Sequence, residues 1–211
     1  MLPVGLEFPQ SRTALSYAKL LLVEGADAFY FFKPLLHAEK LLDQIEIRNF
    51  GSVTDLHHYL SLLKRIDGFD RVNSLGIVRD AEDNAHSAFL NVCRSLEHAG
   101  LAAPTAPAVT ANGLPNVTVF ILPDCKNPGM LETLCLSAVK SDRVMPCIEK
   151  FFRCVQRQGM PMPNNQYKAQ AHAFLATRPV PDLQLGEAAA SGFWCFGDPA
   201  FDQLKQFLRA L

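Results

Sequence analysis

Four short apolar runs, separated by stretches of helical periodicity, constrain this chain more than any other feature. The runs are Lys19 to Val23, Gln44 to Phe50, Ser74 to Val78 and Val117 to Leu122. Three of them carry almost no polar residue, as expected of strands buried on both faces of a parallel sheet. The second, Gln44-Ile45-Glu46-Ile47-Arg48-Asn49-Phe50, alternates polar and apolar residues instead. Between them lie helical patterns. One runs from Ala28 towards Leu36 with Asp27 as its expected cap, and another starts at Thr54 or Asp55 with Leu56, Tyr59, Leu60 and Leu63 on one face. A third covers 84–98 and stops at Gly100. Strands joined through helices predict βαβ units and an open parallel sheet of about four strands flanked by helices.

Beyond a Pro/Ala-rich connection at 101–116, the chain after Gly129 reads as helical, over 130–139, 142–157, 165–176 and 199–209. The expected organisation is therefore an α/β core over 1–125 and a helical extension over 126–211, packed together as one compact unit. With 49% hydrophobic and 19% charged residues, 211 residues suffice for a real core. The net charge of −1 excludes a wholly basic surface, so any nucleic-acid role has to rest on a local patch or on bound metal.

Six cysteines at 93, 125, 135, 147, 154 and 195 form no Cys-x-x-Cys pair and no zinc spacing. They read as reduced thiols of a cytoplasmic protein, with Cys93, Cys135, Cys147 and Cys154 as small hydrophobes in apolar stretches. The amino end lacks the basic start and apolar centre of a signal peptide, and charge interrupts every apolar run before membrane length. No membrane association is expected. A Walker loop, a G-x-G-x-x-G turn and a Ser-His-Asp elbow are all missing, which counts against NTPase, dinucleotide-binding and serine-hydrolase chemistry.

The candidate chemistry lies in acids at strand ends. Ligands of an open parallel sheet sit beyond the carboxyl ends of its strands. Glu24 follows the first run, Asp80 with Glu82 and Asp83 follows the third, and Asp124 follows the fourth. Such carboxylates are hard oxygen donors suited to Mg²⁺ or Mn²⁺. Acids after strands also serve as helix caps, and Asp27, Asp83 and Asp124 suit that role too.

Leu21-Leu22-Val23-Glu24-Gly25 resembles the first motif of the TOPRIM fold, found in topoisomerases, primases and small metal-dependent nucleases. Gly76-Ile77-Val78-Arg79-Asp80-Ala81-Glu82-Asp83 resembles the second, normally Asp-x-Asp at the end of a later strand. Pro128-Gly129-Met130-Leu131-Glu132 is similar to a third acidic element of small uncharacterised TOPRIM proteins and, more loosely, of OLD-type nucleases. The stretches from Lys168 to Thr177 and from Leu185 to Ala189 are similar to the end of the same small proteins.

The resemblance implies a TOPRIM-like fold and a two-ion Mg²⁺ or Mn²⁺ site acting on nucleic-acid phosphodiesters. It implies Glu24 as general acid or base or as a metal ligand, Asp80 as principal metal ligand and Glu82 in the second Asp-x-Asp position. Glu132 would be a further ligand or would position water, and Lys168 would neutralise developing phosphate charge. Asp27, Asp83 and Asp124 are additional candidates. Glu82 in place of aspartate, and Ala28 where OLD-type relatives often carry an acid, are departures from the pattern. They favour the alternative of an inactive module that keeps the fold and binds nucleic acid, a protein partner or a second copy of itself. Phosphotransfer on a small nucleotide is a third reading, without a visible cradle for base or ribose.

Overall fold

The computed structural model describes residues 14–52 and 54–211; the amino-terminal reading above lies outside them. Four strands, β1 (Lys19–Val23), β2 (Ile45–Asn49), β3 (Ser74–Asp80) and β4 (Asn116–Leu122), form one sheet in the order β2-β1-β3-β4, all parallel. The intervening helices are α1 (Gly25–Ala38), α2 (Leu56–Leu63) and α3 (Ala85–His98). After β4 come α4 (Leu131–Ala138), α5 (Met145–Arg157), α6 (Gln166–Leu175), α7 (Leu185–Ala190) and α8 (Asp202–Ala210). The open α/β sheet expected from the four apolar runs is what the chain forms.

Strand alternation divides the core into two layers. Leu21, Val23, Val78, Phe120 and Leu122 pack with α1 and with α4 to α8. Leu20, Leu22, Leu75, Ile77, Val119 and Ile121 pack with α2 and α3 on the opposite face. The edge strand β2 alternates for a visible reason. Ile45 and Ile47 join the first layer, while Glu46 and the buried Arg48 form an ion pair at 2.6 Å. No helix among the described residues is long and apolar enough to cross a membrane.

Local chemistry sets several helix starts. Asn84 caps α3 by accepting the Ser87 N–H at 2.8 Å, and Asn165 caps α6 by accepting the Lys168 N–H at 2.9 Å. Helix α1 begins earlier than expected: Gly25, at φ 81°, turns the chain directly out of β1, and Glu24 holds the N-cap position. Asp27 therefore lies in the first turn and is not the cap. The six-residue α7 was not anticipated, and α8 is preceded by a 3₁₀ turn over Pro199–Phe201.

All six cysteines are free thiols, but Cys147 and Cys154 are exposed and are not part of the core, because they lie on the outer face of α5. In α1, Phe31 and Phe32 are fully buried whereas Tyr30 is 57% exposed. Trp194 donates its indole N–H to the Leu185 carbonyl at 3.0 Å and stacks on Phe174, fastening the segment after α7 to α6.

Candidate functional site

The strand order creates a switch point. From β1 the chain moves to β2 on one side, and from β3 it moves to β4 on the other. The crevice between β1 and β3, outside their carboxyl ends, is where ligands bind in sheets of this type. Val23 pairs with Val78, so the next residues along, Glu24 and Arg79, stand side by side. Arg79 Nε lies 3.7 Å from Glu24 Oε2, while its Nη1 donates to the Ala88 carbonyl of α3 at 2.9 Å. Arg79 is thus buried beneath the site as a counter-charge anchored to the opposite helix layer.

Asp80 ends β3 on the same face as Val78, towards α4. Its Oδ1 accepts the Leu131 N–H at 3.0 Å, one of the amides at the start of α4 that has no partner within the helix. Burial and then the nearby carboxylates of Glu132, Glu24 and Glu82 push its carboxyl up to about 8, against the single opposing bond from Leu131. The raised value means that the folded chain resists placing another negative charge in this crevice.

Glu132 sits in the first turn of α4, buried at 8% exposure. Burial raises its carboxyl above the ordinary range, Asp27 adds to that, and Lys168 and His172 on α6 oppose it. So α6 presents two basic groups, four residues apart on one helical face, to the same acid.

Glu82 is exposed and takes φ 52°, a left-handed conformation uncommon for a residue with a side chain. It is held there by reciprocal backbone bonds with Gly129, Glu82 N–H to Gly129 O at 2.9 Å and the return bond at 2.8 Å. Gly129, at φ 136°, passes so close to Thr133 that a Cβ would lie 2.7 Å from Thr133 Oγ1. The loop carrying Glu82 and the loop leading to Glu132 are thereby tied together.

The crevice therefore gathers Glu24, Asp80, Glu82 and Glu132, with Asp27, Lys168 and His172 around Glu132. Asp124 belongs elsewhere: its carboxylate accepts the Lys126 and Asn127 backbone N–H groups at 3.0 and 2.8 Å and organises its own turn. Asp83 is exposed and is not the cap of α3; with Glu82 it lines a 540 Å³ cavity that extends to Asn164, Tyr167 and Gln170 at the start of α6. The pairing of Arg79 with Glu24 depends on the β1–β3 register.

No three described His, Cys, Asp or Glu side chains stand together as a ready-made metal-ligand set. The donor chemistry of the crevice nevertheless suits a hard divalent cation. The acids are all oxygen donors, and their repulsion at Asp80 is of the kind a bound cation removes.

No curated protein and no solved structure gives a significant match to this chain. The model of one protein family, described as a protein of unknown function (DUF3226), matches residues 18–211, which takes in every described strand and helix and all the acids of the crevice. On that match the chain belongs to the DUF3226 family.

Proposed function

We propose that this protein is a Mg²⁺- or Mn²⁺-dependent enzyme cleaving nucleic-acid phosphodiesters, with its site in the crevice between β1 and β3. The observation that carries the reading is the placement of Glu24, Asp80, Glu82 and Glu132, from three separate segments, at the switch point of the sheet. Asp80, Glu82 and Glu132 would hold the cations. When bound, Mg²⁺ or Mn²⁺ supplies an activated water and stabilisation of charge at the leaving oxygen. Glu24, balanced by Arg79, is the group to accept or return a proton at the attacked phosphate. Lys168, exposed on α6, would neutralise charge that develops on the phosphoryl oxygens, a role supported by its influence on Glu132. Arg79 acts as a positioning residue, fixing Glu24 from the α3 side.

A specific observation also supports the second reading, a module that keeps the fold without catalysis. Glu82 is longer than the expected aspartate and projects from a left-handed backbone, which changes where its carboxylate is offered.

Thermal melting of the wild type and of Asp80→Asn, each with EDTA or with millimolar Mn²⁺ or Mg²⁺, tests the metal site. Metal at about 100 times its Kd stabilises by about 2.7 kcal/mol. For a chain of this length that is about 5–10 °C in Tm. Asp80→Asn should lose most of the gain. Cleavage of an end-labelled oligonucleotide, abolished in Glu24→Gln, then separates the enzyme from the module. A wild type whose Tm ignores both metals sinks the enzyme reading.

A further inference from the structure

We infer that helices α5 and α6 form a track for single-stranded nucleic acid leading into the acidic crevice, with Tyr167 as the base-stacking platform. The inference rests on the proposed site and adds the strandedness of its substrate and the residues that read it.

The charge pattern is local. The chain as a whole carries −1, yet 143–168 holds five cationic residues, Arg143, Lys150, Arg153, Arg157 and Lys168, against Glu149 alone. Lys150, Arg153 and Arg157 recur at three- and four-residue spacing on α5, so they share one helical face, and all three are exposed. None forms an ion pair among the described residues. Phe151, 57% exposed, stands beside that stripe. Cationic side chains without partners next to an exposed ring suit a phosphate backbone whose bases are free to stack.

The stripe is connected to the crevice by continuous lining. Arg153 lines a 270 Å³ groove between α5 and α6 together with Gln166 and Gln170. Those two glutamines also line the 540 Å³ cavity that ends at Glu82 and Asp83. The amides of Asn164, Gln166 and Gln170 have no hydrogen-bond partner among the described residues. Asn and Gln amides, offering a donor and an acceptor side by side, match the edges of unpaired bases. Tyr167, 48% exposed, lines this cavity and also the adjoining 890 Å³ one. A base-paired strand keeps its faces stacked and most of its edges occupied, so an aromatic platform ringed by free amides favours an unpaired strand.

Fluorescence anisotropy with the full chain in EDTA, using labelled DNA and RNA oligonucleotides of about 12 nucleotides, tests this directly. Single strands should bind at least about tenfold tighter than the duplex of the same sequence. Tyr167→Ala should weaken single-strand binding about 5- to 100-fold, the effect of one base losing its aromatic partner. Tyr167→Phe should retain it, since the ring and not the hydroxyl carries the stack. Arg153→Glu with Arg157→Glu should weaken binding and flatten its salt dependence. Arg94→Glu, half that charge change at an exposed position of α3 across the sheet, should leave binding within about twofold, and Arg153→Glu alone is its matched comparison.

Equal or tighter duplex binding overturns the inference. So does a Tyr167→Ala protein that binds like wild type, or poly-glutamate competing as well as the oligonucleotide, which would assign the face to an acidic polypeptide. Preference for DNA or RNA identifies the source of the strand. Because binding is read without metal, a protein that shows the Mn²⁺ shift but no single-strand binding loses this inference alone. One that binds single strands without a Mn²⁺ shift loses only the metal reading.

Discussion

Asp80 shows how a single carboxyl reports on its surroundings. In the unfolded chain it releases its proton near the ordinary carboxylate value, whereas in the folded, metal-free chain it does so near 8. Between those values the folded state holds one proton more, so raising the pH favours unfolding. The Asp80 contribution to stability is complete below about pH 4 and is lost progressively as pH rises to about 8. The slope is at most about 1.4 kcal/mol per pH unit. Carboxylates held below their ordinary value act oppositely; Asp142, which accepts the Val144 N–H, stabilises above its unfolded value and loses that as pH falls. The difference between wild type and Asp80→Asn isolates the one group. In EDTA, urea melts should place Asp80→Asn nearest wild type at pH 4 and increasingly above it as pH rises, by several kcal/mol and at most about 5 kcal/mol at pH 9. The amide side chain of that variant can still accept the Leu131 N–H through its carbonyl, so the comparison removes charge and spares the bond. Coincident curves across that range would mean that the crevice carries little repulsion. With Mn²⁺ present the order should reverse at high pH, because metal takes the place of the proton.

At the scale of the element, α7 is informative because helix propensity and packing make opposite demands on it. Gly186 sits within the helix, where alanine would ordinarily gain about 1 kcal/mol. A Cβ there, however, would meet the Cβ of Tyr30 and lie 2.9 Å from Tyr30 C and 3.0 Å from Phe31 N, all in α1. Backbone atoms of a packed helix cannot yield as a side-chain tip can. Gly186→Ala should therefore destabilise by about 1–3 kcal/mol as overpacking, read as a lower urea midpoint with unchanged m-value. A gain in stability would show that α7 is loosely docked.

The same element explains what could be read from sequence and what could not. The strands were legible because buried parallel strands need unbroken apolar runs, and Leu21-Leu22-Val23 or Val119-Phe120-Ile121 has no other use. The strand-end acids followed from that. Leu-Gly-Glu-Ala-Ala-Ala, by contrast, is too short and too glycine-dependent to announce a helix, and it is stable only against α1. Asp27 looked like a cap by residue type, but the left-handed Gly25 moved the helix start back onto Glu24. In the crevice, Glu24, Asp80 and Glu82 stood out by their positions after strands, whereas Glu132 entered only through the resemblance and Asp124, also after a strand, organises its own turn instead. The Arg79–Glu24 pairing needed the strand register, and the Tyr167 cavity needed the folding of α6 against the loops at Glu82 and Gly129.

Considered whole, the molecule does not separate into a sheet domain and an appended helical lobe, since one core layer contains both. Phe201, Leu204, Phe207, Leu208 and Leu211 are all buried in the layer that includes β1, β3 and β4. Phe207 meets Phe120 of β4 with ring centroids 5.3 Å apart. Gly76, in the central strand β3, leaves room that Leu211 fills, for a Cβ at 76 would lie 2.7 Å from Leu211 Cδ1. Burial of five such side chains contributes on the order of 10 kcal/mol, which is comparable with the whole stability of a typical domain. A chain ending at Gly197 should therefore show no cooperative melt by circular dichroism and should bind a hydrophobic dye, while Leu211→Ala alone should cost about 2–4 kcal/mol. If residues 1–197 instead melt cooperatively near the full-length Tm, the sheet is self-sufficient and the tail an accessory. The distinction reaches the crevice: α4 and α6, which bring Glu132 and Lys168 to Asp80, rest in the same layer as α8. Loosening the tail should then weaken any Mn²⁺ response in proportion.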